Sequence, residues 1–376
     1  MLLPHNLPAE KVYELLNLVN ADTLVCEAGT LPIDGVARAC QNLRLITSVV
    51  PKSNRHMDWT GVPDSAQSRL KISVWNDIFE DNAATASATL PANDSIEKTG
   101  DIITVWQSAD SAVKPTITTF TQLNVVAAVA SLITALPLRQ RITPSDLLLP
   151  ADNFNHCYTL AWTLAALFTH ASVAVNSVAG PGATLAAASR LISPTIIIAS
   201  ASTLAELHTE SAAKITSPLH KLGLFTQSQS LSAGRMPGSS ILLPSTNSTD
   251  APGKLRLILT SDRLDADSPP LSSSTLSDLR IFTRARIVYA LTASAVFGAV
   301  TQTHVFDYRR EEGEGHSRFG APVSSVEIRV AGNGDKEVGT SEPVGKLVVS
   351  GPAVAGGEWK SEKTFKIGED GCLGYA

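Results

Sequence analysis

The chain has 376 residues, 44% of them apolar and 17% charged, with a formal net charge of -5 from 30 basic and 35 acidic side chains. That length exceeds one simple core and predicts two or three subdomains, and the absence of a long run of one sign excludes a nucleic-acid footprint. The four cysteines, Cys26, Cys40, Cys157 and Cys372, have no C-x-x-C spacing, which excludes a disulfide framework and a zinc site and predicts reduced thiols of an intracellular, cytoplasmic protein.

The chain opens with an amphipathic helix from Pro8 to Val19, a short strand at Thr23–Cys26, a helix near Ile33–Asn42 and a strand at Leu43–Val50. Residues 51–99, rich in Asp, Asn, Ser and Ala, predict an irregular surface excursion. A buried strand then follows at Asp101–Trp106, and an apolar helix over Val125–Leu138 is capped near Thr121. Alternation continues through a strand at Asp146–Leu149, a helix at Tyr158–Thr169 and a strand at Ser172–Asn176. Next come a helix at Ala183–Ile192, a strand at Thr195–Ala199 and a helix at Leu204–Ile215. Neither Leu123–Leu138 nor Tyr158–Val178 reads as a membrane span: the first is too short, and the second carries polar residues and changes period.

A Ser/Gly/Pro-rich link covers residues 228–253, and the strand Leu255–Leu259, the helix Ser273–Thr283 and the strand Ala285–Tyr289 resume the pattern. The two strands are expected to be buried neighbours, with Tyr289 ending at a cleft shared with Ser108–Thr116. From about Val305 the texture becomes short alternating segments punctuated by glycine and proline, a small β subdomain. The expected architecture is therefore a layered α/β body over 1–304, with parallel-rich sheets flanked by helices, followed by a β subdomain over 305–376.

Five segments in order carry a resemblance. Ser108–Ile117 lies between a strand and the helix start Thr121-Gln122-Leu123-Asn124. Asp146–Leu160, Tyr289–Ala293, Gly315–Pro322 and Gly345–Pro352 follow. This series resembles the acyl-adenylate-forming superfamily of acyl-CoA synthetases, adenylation domains and luciferases, with their loop T-S-G-T-T-G-x-P-K-G, a D-x-x-L-x-x-x-P-L-x-H-x-x-G-L stretch and a Y-G-x-T-E motif. Pro115, Thr121, Asn124, His156, Tyr289 and Thr292 fall on family residues. The resemblance implies the fold of that family's large domain.

The same alignment removes much of the chemistry. Asp110, Val113 and Ile117 replace the loop glycines, Thr116 replaces the lysine, and Ala293 replaces the Mg²⁺-binding glutamate. Glycines let backbone N–H groups approach phosphates; a carboxylate repels them, and an alanine offers a hard cation no oxygen. The loop is thus either a plain surface connection or a phosphate clamp using Ser108, Ser111, Lys114 and Thr116. By resemblance, Tyr289 would stack on adenine and Thr292 would bond phosphate, unless both are strand-end residues without a ligand. His156 either borders an acyl pocket or is a structural residue at a helix start.

In the family, a T-G-D aspartate and a C-terminal lid carrying the catalytic lysine complete the two-step reaction. By alignment Tyr375-Ala376 stand at the T-G positions and neither the aspartate nor the lid is within the sequence, so a reduced or partial member is expected. Two functions remain: a degenerate, non-catalytic domain that needs no cofactor and binds a protein partner or an acyl-type small molecule, or a divergent ATP- and Mg²⁺-dependent acyl-CoA synthetase or adenylation module.

Overall fold

The computed structural model describes residues 2–3, 7–50, 60–83, 100–107, 114–175, 184–189, 191–238, 240–243, 254–264, 266, 268–310, 315–332 and 343–376. They divide into two units, Met1–Val105 and Trp106–Ala376.

The first unit contains α1 (Ala9–Leu18), β1 (Thr23–Glu27), α2 (Ile33–Ala39), β2 (Leu45–Val49), β3 (Lys71–Val74) and α3 (Trp75–Ala83), and it runs into β4 (Ile102–Trp106). Strands β1, β2 and β3 pair in parallel in that order. Val12, Leu15 and Leu16 form the buried stripe of α1 at helical spacing, and Val12 and Leu16 pack with Leu24, Val36, Leu43, Ile46 and Ile72. Two corrections arise here. The excursion expected over 51–99 holds β3 and α3. Lys71-Ile72-Ser73-Val74 is only four residues long, and its parallel neighbour, not its own propensity, makes it a strand. Helix α2 stops at Ala39, short of Asn42, because Cys40 leaves helical geometry and the Arg69 guanidinium takes the carbonyls of Cys40, Gln41 and Leu43.

The second unit continues with β5 (Thr116–Phe120), α4 (Gln122–Ala135), β6 (Leu147–Pro150), α5 (Cys157–Phe168), β7 (Ser172–Val173), α6 (Leu185–Ala188), β8 (Ile196–Ile198) and α7 (Ala201–Ala213). It goes on through α8 (Pro218–Ser232), β9 (Leu257–Arg263), α9 (Ser273–Thr283), β10 (Arg286–Thr292), β11 (Thr301–Gln302) and β12 (Ala321–Pro322). A seven-stranded sheet runs β12-β11-β10-β9-β8-β6-β7, parallel from β7 to β10 and antiparallel beyond. Ile196–Ile198 and Leu257–Leu259 are fully buried, as befits strands covered on both faces. The last four strands, β13 (Glu327–Ala331), β14 (Val344–Ser350), β15 (Glu358–Ile367) and β16 (Leu373–Tyr375), form an antiparallel sheet in that order.

Helix α8 occupies the start of the link expected at 228–253. Its signals were present in the sequence: Ser217 caps the first turn and Pro218 stands inside it. Strands β9 and β10 pair as expected, but each runs further than its apolar run. Tyr289 is consequently mid-strand and not at a strand end.

At the amino edge of the sheet, Arg256 clasps Asp146 with Nε–Oδ1 and Nη2–Oδ2 distances of 2.8 Å, while Thr195 donates to the same carboxylate at 2.8 Å. Burial works to raise the Asp146 carboxyl, yet these bonds hold it down at about 2. Three parallel strands are thus tied at their starts by one ion pair. Among the described residues, no helix is long and apolar enough to cross a membrane.

Candidate functional site

In open parallel sheets, ligands bind beyond the carboxyl ends of the strands. Here those ends are β6, β8, β9 and β10, and charged and polar side chains from three of them meet.

After β6, the chain turns through Asp152 and enters α5 with His156 at the cap position. The His156 imidazole bonds Asp152 through Nδ1–Oδ2 at 2.9 Å, and the Arg263 guanidinium, at the end of β9, bonds its Nε2. Arginine only donates, so Nε2 accepts, and the imidazole proton sits on Nδ1 facing the carboxylate. Thr159 and the backbone N–H of Asn153 add further bonds to Asp152. Burial raises the Asp152 carboxyl, but the His156 imidazole bonded to it, the Arg263 guanidinium and the Asn153 N–H bond hold it below the ordinary range.

Asp262, one residue earlier on β9, is 3% exposed. It accepts from the Tyr375 hydroxyl at 3.1 Å, with His316 Nδ1 3.9 Å away. Burial pushes this carboxyl up, and Tyr375 and His316 offset that only in part. Beneath it lies an aromatic cluster. His316 and Phe319 both meet Tyr375 edge-on, at centroid distances of 4.7 and 5.3 Å, and Tyr289 tilts against Phe319 at 5.2 Å.

The family-matched residues lie around this network. Tyr289 has no exposed surface, and burial, then the nearby Asp262 carboxylate, push its phenol well above the ordinary value. The Thr292 hydroxyl donates to the Asp262 carbonyl at 3.0 Å, and Ala293 follows, buried. His156 is the sequence-indicated pocket residue that joins the charged chain. Lys114 and Thr116 are exposed at the start of β5. Ser108, Asp110, Ser111 and Val113 lie outside the described residues.

The frame around the loop is firmly built. Thr121 and Asn124 form a capping box at the start of α4. The Asn124 amide also donates to Pro352 O at 2.7 Å and Val354 O at 3.3 Å. Residues 352–354 in turn hold the segment after β10: Phe297 N–H bonds Ala353 O, and Val296 bridges Val354. The Phe120 and Phe297 rings meet edge-on at 5.2 Å. The strand that follows the loop and the segment that follows Thr292 therefore converge.

Sequence reading missed Asp152, Asp262, Arg263, His316 and Tyr375 as site residues. One signal was available: Asp262-Arg263 ends an apolar parallel strand with two opposite charges, at the sheet edge where ligands bind. Among the described residues, no group of three or more His, Cys, Asp or Glu side chains is arranged to hold a metal ion.

Comparison with known proteins places the chain. Residues 2–359 match the family model described as AMP-binding enzyme. No curated protein matches it. Among solved structures, ATP-bound MatB from Rhodopseudomonas palustris superposes with a TM-score of 0.61 at 14% identity, over 99% of this chain and 62% of that one. The anthranilate CoA ligase AuaEII in complex with anthranoyl-AMP gives 0.63 at 14% identity, with the same coverages of 99% and 62%. The luciferase-like enzyme of the nonluminescent mealworm Zophobas morio gives 0.63 at 11% identity, over 100% of this chain and 76% of that one. The chain thus spans about 62% of the length of MatB and of AuaEII. With a family match across nearly its whole length and a parallel-rich α/β fold shared with acyl-CoA ligases, the chain belongs to the AMP-binding, adenylate-forming family.

Proposed function

We propose that this chain is a degenerate adenylate-forming domain whose nucleotide site is closed by its own side chains, and that it acts as a non-catalytic binding or scaffold module. One observation carries this: the carboxyl edge of β9 and β10 is filled from within, by the Asp152–His156–Arg263 chain and the Asp262–Tyr375 bond. A nucleotide there would have to break both.

The donor chemistry agrees. Tyr289, the adenine-stacking residue by resemblance, offers no free face. Thr292 already bonds the Asp262 carbonyl, and Ala293 supplies no oxygen to Mg²⁺. Asp262 would set a second negative charge near any phosphate. The residues present do not fit ATP-Mg²⁺, and neither is assigned as a cofactor. What the module binds is a protein partner or an acyl-type small molecule, inside the cell.

A second reading keeps the activity: a divergent ATP-dependent acid–thiol ligase or adenylation module, completed by further chain. The retained tie from Asn124 to residues 352 and 354 favours it, since it preserves the convergence of loop and strand end. ATP–pyrophosphate exchange with a panel of fatty and aryl acids separates the two. Exchange at background is expected for every acid. Robust exchange with any of them would establish the ligase.

A further inference from the structure

A second cleft is lined by Ser273 and Arg280 of α9, by Thr303, and by Asp307, Arg309, Ser317 and Arg318. Its cavity volume of about 20 Å³ exceeds the roughly 10–15 Å³ that holds one water on the same measure. There is room for a group somewhat larger than water.

One cation of this cleft is buried and incompletely bonded. Arg280 is 2% exposed. Its Nη2 donates to Ile287 O at 3.2 Å, and the guanidinium lies 5.6 Å from the Tyr308 ring centroid. Its buried Nε has no hydrogen-bond partner, and among the described residues no carboxylate stands within ion-pair distance of it. Asp307 acts on it through charge, but both its oxygens are taken by Arg309, at 2.8 and 2.6 Å. Arg309 and Arg318 share Asp370 behind the cleft. Among the described residues Arg309 and Arg318 both have carboxylate partners, whereas the buried Arg280 keeps an orphaned Nε. Burial lowers the Arg280 guanidinium to about 10, against the pull of Asp307 and Tyr308, so it stays charged at neutral pH. A buried, underpaired cation with an orphaned donor is costly unless something anionic completes it.

We propose that this cleft is a binding site for a small tetrahedral oxyanion, a phosphate or phosphoryl group, held by Arg280, Arg309 and Arg318 with the Ser273, Thr303 and Ser317 hydroxyls around it. Guanidinium forks suit phosphate oxygens because they donate two parallel bonds. The hydroxyls add donors without adding charge. None of the lining side chains belongs to the strand-end network, although Ser317 and Arg318 lie between its His316 and Phe319 in the chain, and the proposal does not depend on whether the domain adenylates anything.

The test is calorimetric titration of the intact chain at fixed ionic strength with inorganic phosphate, with glycerol 3-phosphate and with chloride as control. Saturable binding of phosphate or of the ester, but not of chloride, is expected. Tighter binding of the ester marks the phosphoryl end of a larger molecule, and equal or weaker binding marks the free ion. Arg309→Gln should weaken the oxyanion about tenfold, the worth of one charge-assisted contact. Asp307→Asn should tighten it several-fold by removing the competing carboxylate, a gain that poor folding cannot imitate. Failure of both phosphates to saturate, or affinities unchanged in both variants, would overturn the site.

Discussion

Asp262 and Asp146 are carboxylates of one sheet with opposite balances. Asp262 is pushed up by burial, so its contribution to stability is present below the ordinary carboxyl range and is lost as pH rises through its folded value. Asp262→Asn removes that loss while keeping an acceptor for Tyr375. The variant should melt about 1–2 °C above the wild type at pH 7, roughly 1 kcal/mol for a chain of this size, with the gap closing toward pH 4. A variant that melts lower at pH 7 would show that the charge is used. Asp146 runs the other way. Its carboxyl is held at about 2, so its stabilisation is complete above the ordinary value and is lost as pH falls toward 2. Arg256→Met strands this buried carboxylate and should cost on the order of 3 kcal/mol at pH 7, read by urea unfolding, and much less at pH 2.5. At this scale the sequence was legible in part. Thr292, Ala293 and His156 could be found by motif, whereas Asp262 could be found only from its place at a strand end. The Tyr375 hydroxyl reaches Asp262 across 113 positions of chain, which no local pattern encodes.

At the scale of elements, α4 shows how a short motif holds distant parts together. Thr121 and Asn124 cap the helix reciprocally, and the Asn124 amide spans to Pro352 and Val354. Asn124→Ala loses the cap interaction and leaves buried carbonyls without a donor. It should cost about 2–3 kcal/mol and loosen the segment around Phe297, seen as faster amide exchange at Val296–Val300. Unchanged exchange there would mean that the tie is incidental. Long, strongly patterned elements were legible: α9 over Ser273–Thr283 and the paired strands β9 and β10 lie where their apolar runs predicted. The elements that escaped were those whose stability comes from neighbours. Strand β3 is four residues beside β2. Helix α8 is weakly amphipathic, and it buries Leu231 against Ile281, Phe282 and Tyr308, residues distant in sequence. Strand ends were also misjudged, because β9 carries polar Thr260 and Asp262 into the sheet where a sequence pattern reads a loop.

At the scale of the whole molecule, the family match and the fold identify an adenylate-forming architecture, while the proposed closure of its site is local and rests on a handful of side chains. That separation follows from the physics. The fold depends on strands such as β8 and β9, whose apolar runs survive many substitutions, whereas nucleotide and metal binding depend on particular oxygens and on open space. Pyrophosphate exchange requires every part of the reaction. Binding requires only the site. The most direct measurement is therefore calorimetric titration of this chain with ATP-Mg²⁺, beside an Arg263→Ser, Ala293→Glu double variant that opens the network and restores a metal oxygen. The expected result is no saturable heat for the wild type and measurable binding for the variant. Saturable binding of ATP-Mg²⁺ by the wild type would contradict closure of the site by Asp152, His156, Arg263 and Asp262.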